Sequence, residues 1–179
     1  MASSSLSDID DLVLKAAEDK HLKISDVVIR FEISNQEALQ LIRKLHEKAE
    51  LKKVPDPSDC RSFYFYRISL PENIKELVKR MITKQKKCNS LLKKFRKTDF
   101  SDDELGERLN QAEKEKEEIW KSLSGMVLNN GKTFAGMAIS YPGLVPSMFV
   151  QKTHCSYHSP TPEEIISLYE ESLKENSPS

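Results

Sequence analysis

Three short amphipathic segments followed at once by a two-stranded β-hairpin occupy residues 7 to 68, and that order narrows the possible folds sharply. Ser7-Asp8-Ile9-Asp10 has the chemistry of a helix start: a serine hydroxyl accepts from an unpaired backbone N–H, and acids suit the positive end of the dipole. Ile9, Leu12, Val13 and Ala16 then recur at helical spacing and form one apolar face. Leu22-Lys23-Ile24 is short and tolerates β structure. Ser25-Asp26 opens a second helix, with Val27, Val28 and Phe31 turned inward. Ser34-Asn35-Gln36-Glu37 is a capping box, in which the hydroxyl caps forward and Glu37 reaches back to the Ser34 N–H. The helix it opens runs to about Glu50, with Ala38, Leu41, Ile42, Leu45 and Ala49 inside.

The hairpin is built from Leu51-Lys52-Lys53-Val54, a Pro-Asp-Pro-Ser-Asp-Cys turn, and Arg61 to Ile68. Phe63, Phe65 and Ile68 are read as one face of the last strand, against Tyr64 and Tyr66. Helix, short strand, helix, helix and two-stranded wing resemble the winged-helix superfamily over Ser7 to Ile68. The resemblance rests on Leu22-Lys23-Ile24, on Ser34 to Glu37, and on Leu51 to Val54 paired with Phe63 to Tyr66. A wing followed by a charged coiled coil looks like the layout of meiotic recombination accessory proteins of the homologous-pairing type, and of some transcription-machinery subunits. The resemblance implies a nucleic-acid or protein-binding module. The acidic wing tip, Asp56 and Asp59 beside Arg61, departs from the DNA-binding members.

Charge is balanced over the whole chain, with 28 basic and 28 acidic residues, but it is unevenly placed. Residues 71–100 carry 10 Lys and Arg against 3 acids, and residues 101–121 carry 4 against 8. Residues 1–70 carry 11 against 12, so the winged domain itself lacks the cationic excess on which phosphate binding draws. Cys60, Cys88 and Cys155 fit neither a disulfide framework nor a paired zinc motif, and a reducing intracellular compartment is expected. The N-terminus lacks the pattern of a secretory signal, and no apolar run reaches the length of a membrane span, so a soluble chain is expected.

Past Pro71, Ile74, Met81, Cys88 and Phe95 fall seven apart, with Leu77/Val78 and Leu91/Leu92 between them and Lys84 and Gln85 in the middle slot. Ser101-Asp102-Asp103-Glu104 reads as a second capping box. The helix it opens repeats Leu105, Ala112 and Ile119, interleaved with Leu109, Lys116 and Leu123. Two such helices joined by a short turn predict an antiparallel hairpin whose seams face each other or a partner. Asn129 to His158 is irregular, with strands conceivable at Thr133–Ile139 and Met148–Lys152, and Thr161-Pro162-Glu163-Glu164 caps a last helix. The expected class is α+β, mostly α. Its parts are a winged-helix domain over 7–70, a charged helical hairpin over 71–128, an irregular region over 129–160 and a C-terminal helix over 161–175.

In the third helix, Asn35, Gln36, Gln40, Arg43 and Lys44 point outward. Asn and Gln pair bidentately with adenine edges and Arg with guanine, while Lys reaches phosphate. A protein-docking role for the same face has about even weight. Arg61 adds a cation to the wing. Lys86, Lys87, Lys93 and Lys94 belong to a cationic ridge that either follows phosphates or an acidic protein, or pairs internally with Glu107, Glu113, Glu115, Glu117 and Glu118. Trp120 is core or an interface anchor. Asn129 to Thr133 lacks the glycine spacing of a phosphate loop and reads as a helix end and turn. His154, Cys155 and His158 offer three zinc ligands where four are needed, so a polar loop is the default.

No catalytic constellation, cofactor motif or metal site stands out. The expectation is a non-enzymatic winged-helix subunit of a nuclear, nucleic-acid-associated complex, contacting duplex DNA, neighbouring subunits or both, with protein partners held through its hairpin, its oligomeric state open and no membrane contact. The alternative is a pure protein–protein adaptor of the kind found among endosomal-sorting winged-helix subunits.

Overall fold

The computed structural model describes residues 6–149 and 159–176. It divides the chain into two compact units, residues 1–72 and 73–179.

The first unit has a winged-helix-like arrangement, in the order α1 (Leu6–Asp19), α2 (Ile24–Phe31), α3 (Asn35–Glu47), β1 (Leu51–Asp56) and β2 (Asp59–Arg67). Leu22 exchanges both backbone hydrogen bonds with Phe65, each 2.8 Å, so β2 is flanked by β1 on one side and by a single residue on the other. Val13, Leu22, Val27, Ala38, Leu45, Leu51 and Phe65 close one core. Full burial of an aliphatic side chain of this size is worth about 1.5–3 kcal/mol. The capping box at Ser34 forms as the spacing requires: the Glu37 N–H donates to Ser34 Oγ at 3.2 Å, and the Ser34 N–H donates to Glu37 Oε2 at 2.8 Å.

Several local expectations shift. Ser7, expected to open α1, already lies within it. Leu12 is exposed, and Leu14 and Ala17 take its place inside, because the buried face turns toward α3 and β2 rather than along the predicted line. α2 starts at Ile24, with Lys23 at its N-cap two residues before Ser25, and the Asp26 carboxylate accepts from the Lys23 N–H at 2.8 Å. The strands run further than the sequence suggested, leaving only Pro57 and Ser58 as the turn. Pairing keeps register from Leu51↔Arg67 to Pro55↔Phe63 and then jumps to Asp56↔Asp59, so Cys60, Arg61 and Ser62 bulge out of β2 at the wing tip. Ile68 lies beyond β2 and donates its N–H to Glu50.

The second unit takes up α4 (Glu72–Lys97) from its second residue, Asn73, and α4 reverses into α5 (Asp103–Ser124). Cys88 and Leu91 of α4 pack with Ala112, Leu105 and Leu109 of α5, and Phe95 lies so close to Gly106 that an added Cβ would meet its ring at 3.3 Å. The two seams therefore face each other, at least over this stretch. The turn is made by Asp99 and Phe100, both left-handed at φ 50° and 61°. Asp102, not Ser101, caps α5: its carboxylate accepts from the Leu105 N–H at 3.0 Å, while Ser101 Oγ donates to the Thr98 carbonyl.

After α5, Val127 bridges to Thr133 around Gly131, whose φ of 78° suits a glycine. The segment expected as a strand at Thr133–Ile139 is instead α6 (Phe134–Ser140), capped by Thr133 Oγ1. The physical reason is spacing, since buried Phe134, Met137 and Ala138 stand three and four apart, which is helical. Met148 and Phe149 fall in the short helix α7 (Pro146–Phe149), and residues 150–152 of that expected strand lie outside the described residues. α8 (Pro162–Lys174) carries its capping box at Thr161 and Glu164, and Glu164 also accepts from Ser147. Glu175, just past α8, gathers Lys132, Asn130 and the Tyr141 hydroxyl.

Candidate nucleic-acid interface

Gln36, Gln40 and Arg43 stand at i, i+4 and i+7 on α3, all exposed, with Asn35 beside them in the first turn. Leu39 lies on the same side and is 38% exposed. The result is a polar face with an apolar element, suited to base edges or to a protein surface. Lys44 sits at the edge of this face, but its ammonium is held 2.6 Å from Asp10 Oδ2, and Lys48 approaches the same oxygen at 3.8 Å. Among the described residues the Arg43 guanidinium makes no ion pair. The cations of this unit thus divide into those committed to internal acids and those left for a partner.

The wing tip changes character once folded. Asp56 is 3% exposed, pairs with Lys23 at 2.6 Å, and accepts from the Ser58 N–H and hydroxyl. The Lys23 ammonium, followed by the Ser58 bonds, holds the Asp56 carboxyl at about 2. Its charge is cancelled inside the unit and does not face a phosphate. Asp59 accepts from the Arg61 N–H at 3.0 Å, which leaves the Arg61 guanidinium exposed on the bulge. The sequence could not disclose the Lys23–Asp56 pairing, because 33 residues separate the partners.

On α4 the basic residues sort by direction. Lys84 reaches Glu115 of α5, Lys87 lies 3.7 Å from the same carboxylate, and the Glu115 carboxyl is held below its ordinary range by Lys84. That half of the ridge is internal pairing. Lys86 is exposed and already engaged. Lys93, Lys94, Arg96 and Lys97 are exposed and make no ion pair among the described residues. Arg96 and Lys97 belong to the same basic ridge of the sequence, whereas Phe100, exposed in the turn that follows, carries no charge or spacing that marks it.

Trp120 is 6% exposed beside Ile119 and Leu123, so its ring serves the core and offers no surface to a partner. The same helix buries Lys116, whose ammonium has Glu113 at 3.4 Å. His154, Cys155 and His158 lie outside the described residues, and among the described residues no group of three potential metal ligands assembles. Burial pushes the Cys88 thiol up to about 11. No described helix is long and apolar enough to cross a membrane.

No family model matches the chain, and no curated relative matches it. Among solved structures it is similar to the crystal structure of the adhesin competence repressor AdcR from Streptococcus pyogenes, at 17% identity with a TM-score of 0.35, covering 61% of this chain and 78% of that one.

Proposed function

We propose that this chain is a non-enzymatic, winged-helix subunit of a nuclear, nucleic-acid-associated complex, with α3 and the Arg61 wing tip facing DNA and the helical hairpin serving assembly. One observation carries the reading: the exposed row Gln36, Gln40 and Arg43 is built from residues that read base edges, while Asp56 and Asp10 are neutralised within the unit. The strongly shifted groups are explained by structural work. Asp56 and Glu175 are held by closed sets of donors and Cys88 is buried, so none of them is poised as an acid, base or nucleophile.

The adaptor reading has its own support. Ile29 of α2 is 77% exposed and Leu12 of α1 is 49% exposed, an apolar character that a phosphate surface does not favour. Titration of labelled duplex DNA with the full chain separates the two. The DNA reading expects binding whose log affinity falls linearly with log salt, and Arg43→Ala with Gln40→Ala weakens it about tenfold to a hundredfold. No binding at low salt would reject DNA contact and leave the adaptor.

A further inference from the structure

We propose that the outer face of the wing sheet is a second nucleic-acid site, one that takes a base of an unpaired strand on the open side of the His21 ring. The proposal rests on the reading of the chain as a nucleic-acid-binding protein, but it uses none of the α3 residues.

Side chains alternate across a sheet, and the register here is fixed by Leu22↔Phe65 on one side of β2 and Lys53↔Phe65 on the other. Leu22 and Phe65 point into the core. Their neighbours His21, Lys23, Tyr64, Tyr66, Lys52 and Val54 therefore share the opposite face, in two rows. His21, Tyr66 and Lys52 form one row, and Lys23, Tyr64 and Val54 the other. The contacts follow these rows. The His21 ring stacks on Tyr66 with centroids 4.8 Å apart and planes 26° from parallel, and the Lys52 ammonium lies 5.6 Å from the Tyr66 centroid. In the second row the Lys23 ammonium lies 4.8 Å from the centroid of Tyr64, which His21 also meets at 6.2 Å and 47°. Three rings and two cations thus come together at one place.

Cross-strand packing accounts for the half-buried tyrosines. It leaves the imidazole unexplained. His21 ends its row, because Leu22 is the outer edge of the sheet, so Tyr66 covers one side of the ring and the residue stays exposed. A base laid on the free side extends an existing stack by one ring. The chemistry around it selects the ligand. Both tyrosine rings already carry a lysine, so an ammonium ligand finds no vacant cage. An apolar helix would strip water from the Lys23 ammonium and the imidazole. The Asp56 carboxylate is paired with Lys23 at 2.6 Å and does not repel a phosphate chain, while exposed Lys20, next to His21, makes no ion pair among the described residues. A flat ring on an anionic backbone meets all of these conditions. Every base has a stacking face, which an intact duplex hides.

Fluorescence anisotropy of the full chain against a labelled oligothymidylate and a labelled duplex tests this. The expected result is that His21→Ala weakens oligothymidylate binding about tenfold, His21→Trp restores it, and duplex affinity stays unchanged. The loss should be the same factor at low and raised salt, since a stacking contact releases no counterions. In NMR spectra of the parent chain, oligothymidylate should shift the His21 ring protons upfield. Circular dichroism should be unchanged in each variant. If His21→Ala binds oligothymidylate like the parent chain, if its loss vanishes at raised salt, or if the parent binds duplex and no oligothymidylate, the proposal is wrong. The α3 variant Arg43→Ala with Gln40→Ala separates the two readings. Loss confined to duplex supports both sites, whereas normal duplex binding rejects the α3 reading and leaves the sheet site standing.

Discussion

At Asp56 a single buried carboxylate decides how the wing presents itself. Because its folded value, about 2, lies below its ordinary 3.8, the ion pair with Lys23 stabilises fully above pH 3.8 and is lost as pH falls toward 2. NMR titration of the Asp56 carboxyl should give a midpoint near 2, and Lys23→Met should return it toward 3.8. An unchanged midpoint in that variant would show that Ser58 alone holds the charge. Glu175 behaves alike in the other unit, held at about 2 first by the Tyr141 hydroxyl and then by Lys132. Gly131 tests the backbone instead. Nothing lies within 4 Å of an added Cβ, so Gly131→Ala meets no clash. Its φ of 78° alone should cost about 1 kcal/mol, read as a lower midpoint in urea unfolding.

For the individual elements, local signals were legible wherever one residue's chemistry fixes a boundary. The capping boxes at Ser34 and Thr161 and the inward row of α3 follow from the sequence, because their partners lie three or four residues away. At Ser101 the same pattern misleads, since the left-handed pair Asp99 and Phe100 delays the helix by one residue and hands the cap to Asp102. α6 was missed because an apolar run of seven residues fits a strand as well as a helix until Thr133 is seen to cap it. The candidate site was half legible: the α3 row could be read from periodicity, whereas the diversion of Lys44, Lys84 and Lys87 to internal acids depends on contacts remote in sequence. The polar slot of the hairpin is a further case. Lys116 is 4% exposed with Glu113 at 3.4 Å, and removing one partner of a buried ion pair leaves the other charge uncompensated. Lys116→Met should therefore lower the hairpin's thermal midpoint, by roughly 1 kcal/mol in stability because Glu113 is itself partly exposed; a rise of that size would mean that burying the ammonium costs more than its pairing returns.

Over the whole molecule, the division into residues 1–72 and 73–179 gives each unit its own set of buried side chains. Phe65 belongs to the first core, and Phe134, with no exposed surface, is buried in the second unit. Phe65→Ala and Phe134→Ala should each cost about 3–5 kcal/mol. In calorimetry each should displace a different unfolding transition, and a single transition moved equally by both would mean that the units melt as one. The charge pattern acts at this scale too. A neutral chain has no overall steering field, so any attraction to an anionic partner is local to exposed cations such as Arg43, Arg61 and those at the end of α4, and should fade quickly with salt.

The bulge in β2 leaves Cys60 exposed at the wing tip, while Cys88 is buried with its thiol at about 11. The two sulfurs therefore differ in reactivity toward a maleimide at neutral pH, since Cys88 is buried and held as the thiol whereas Cys60 is open to the reagent. With Cys155 replaced by serine, one environment-sensitive dye would sit beside Arg61. Its emission would then report when the wing is covered, and by separate titrations whether DNA or a protein covers it.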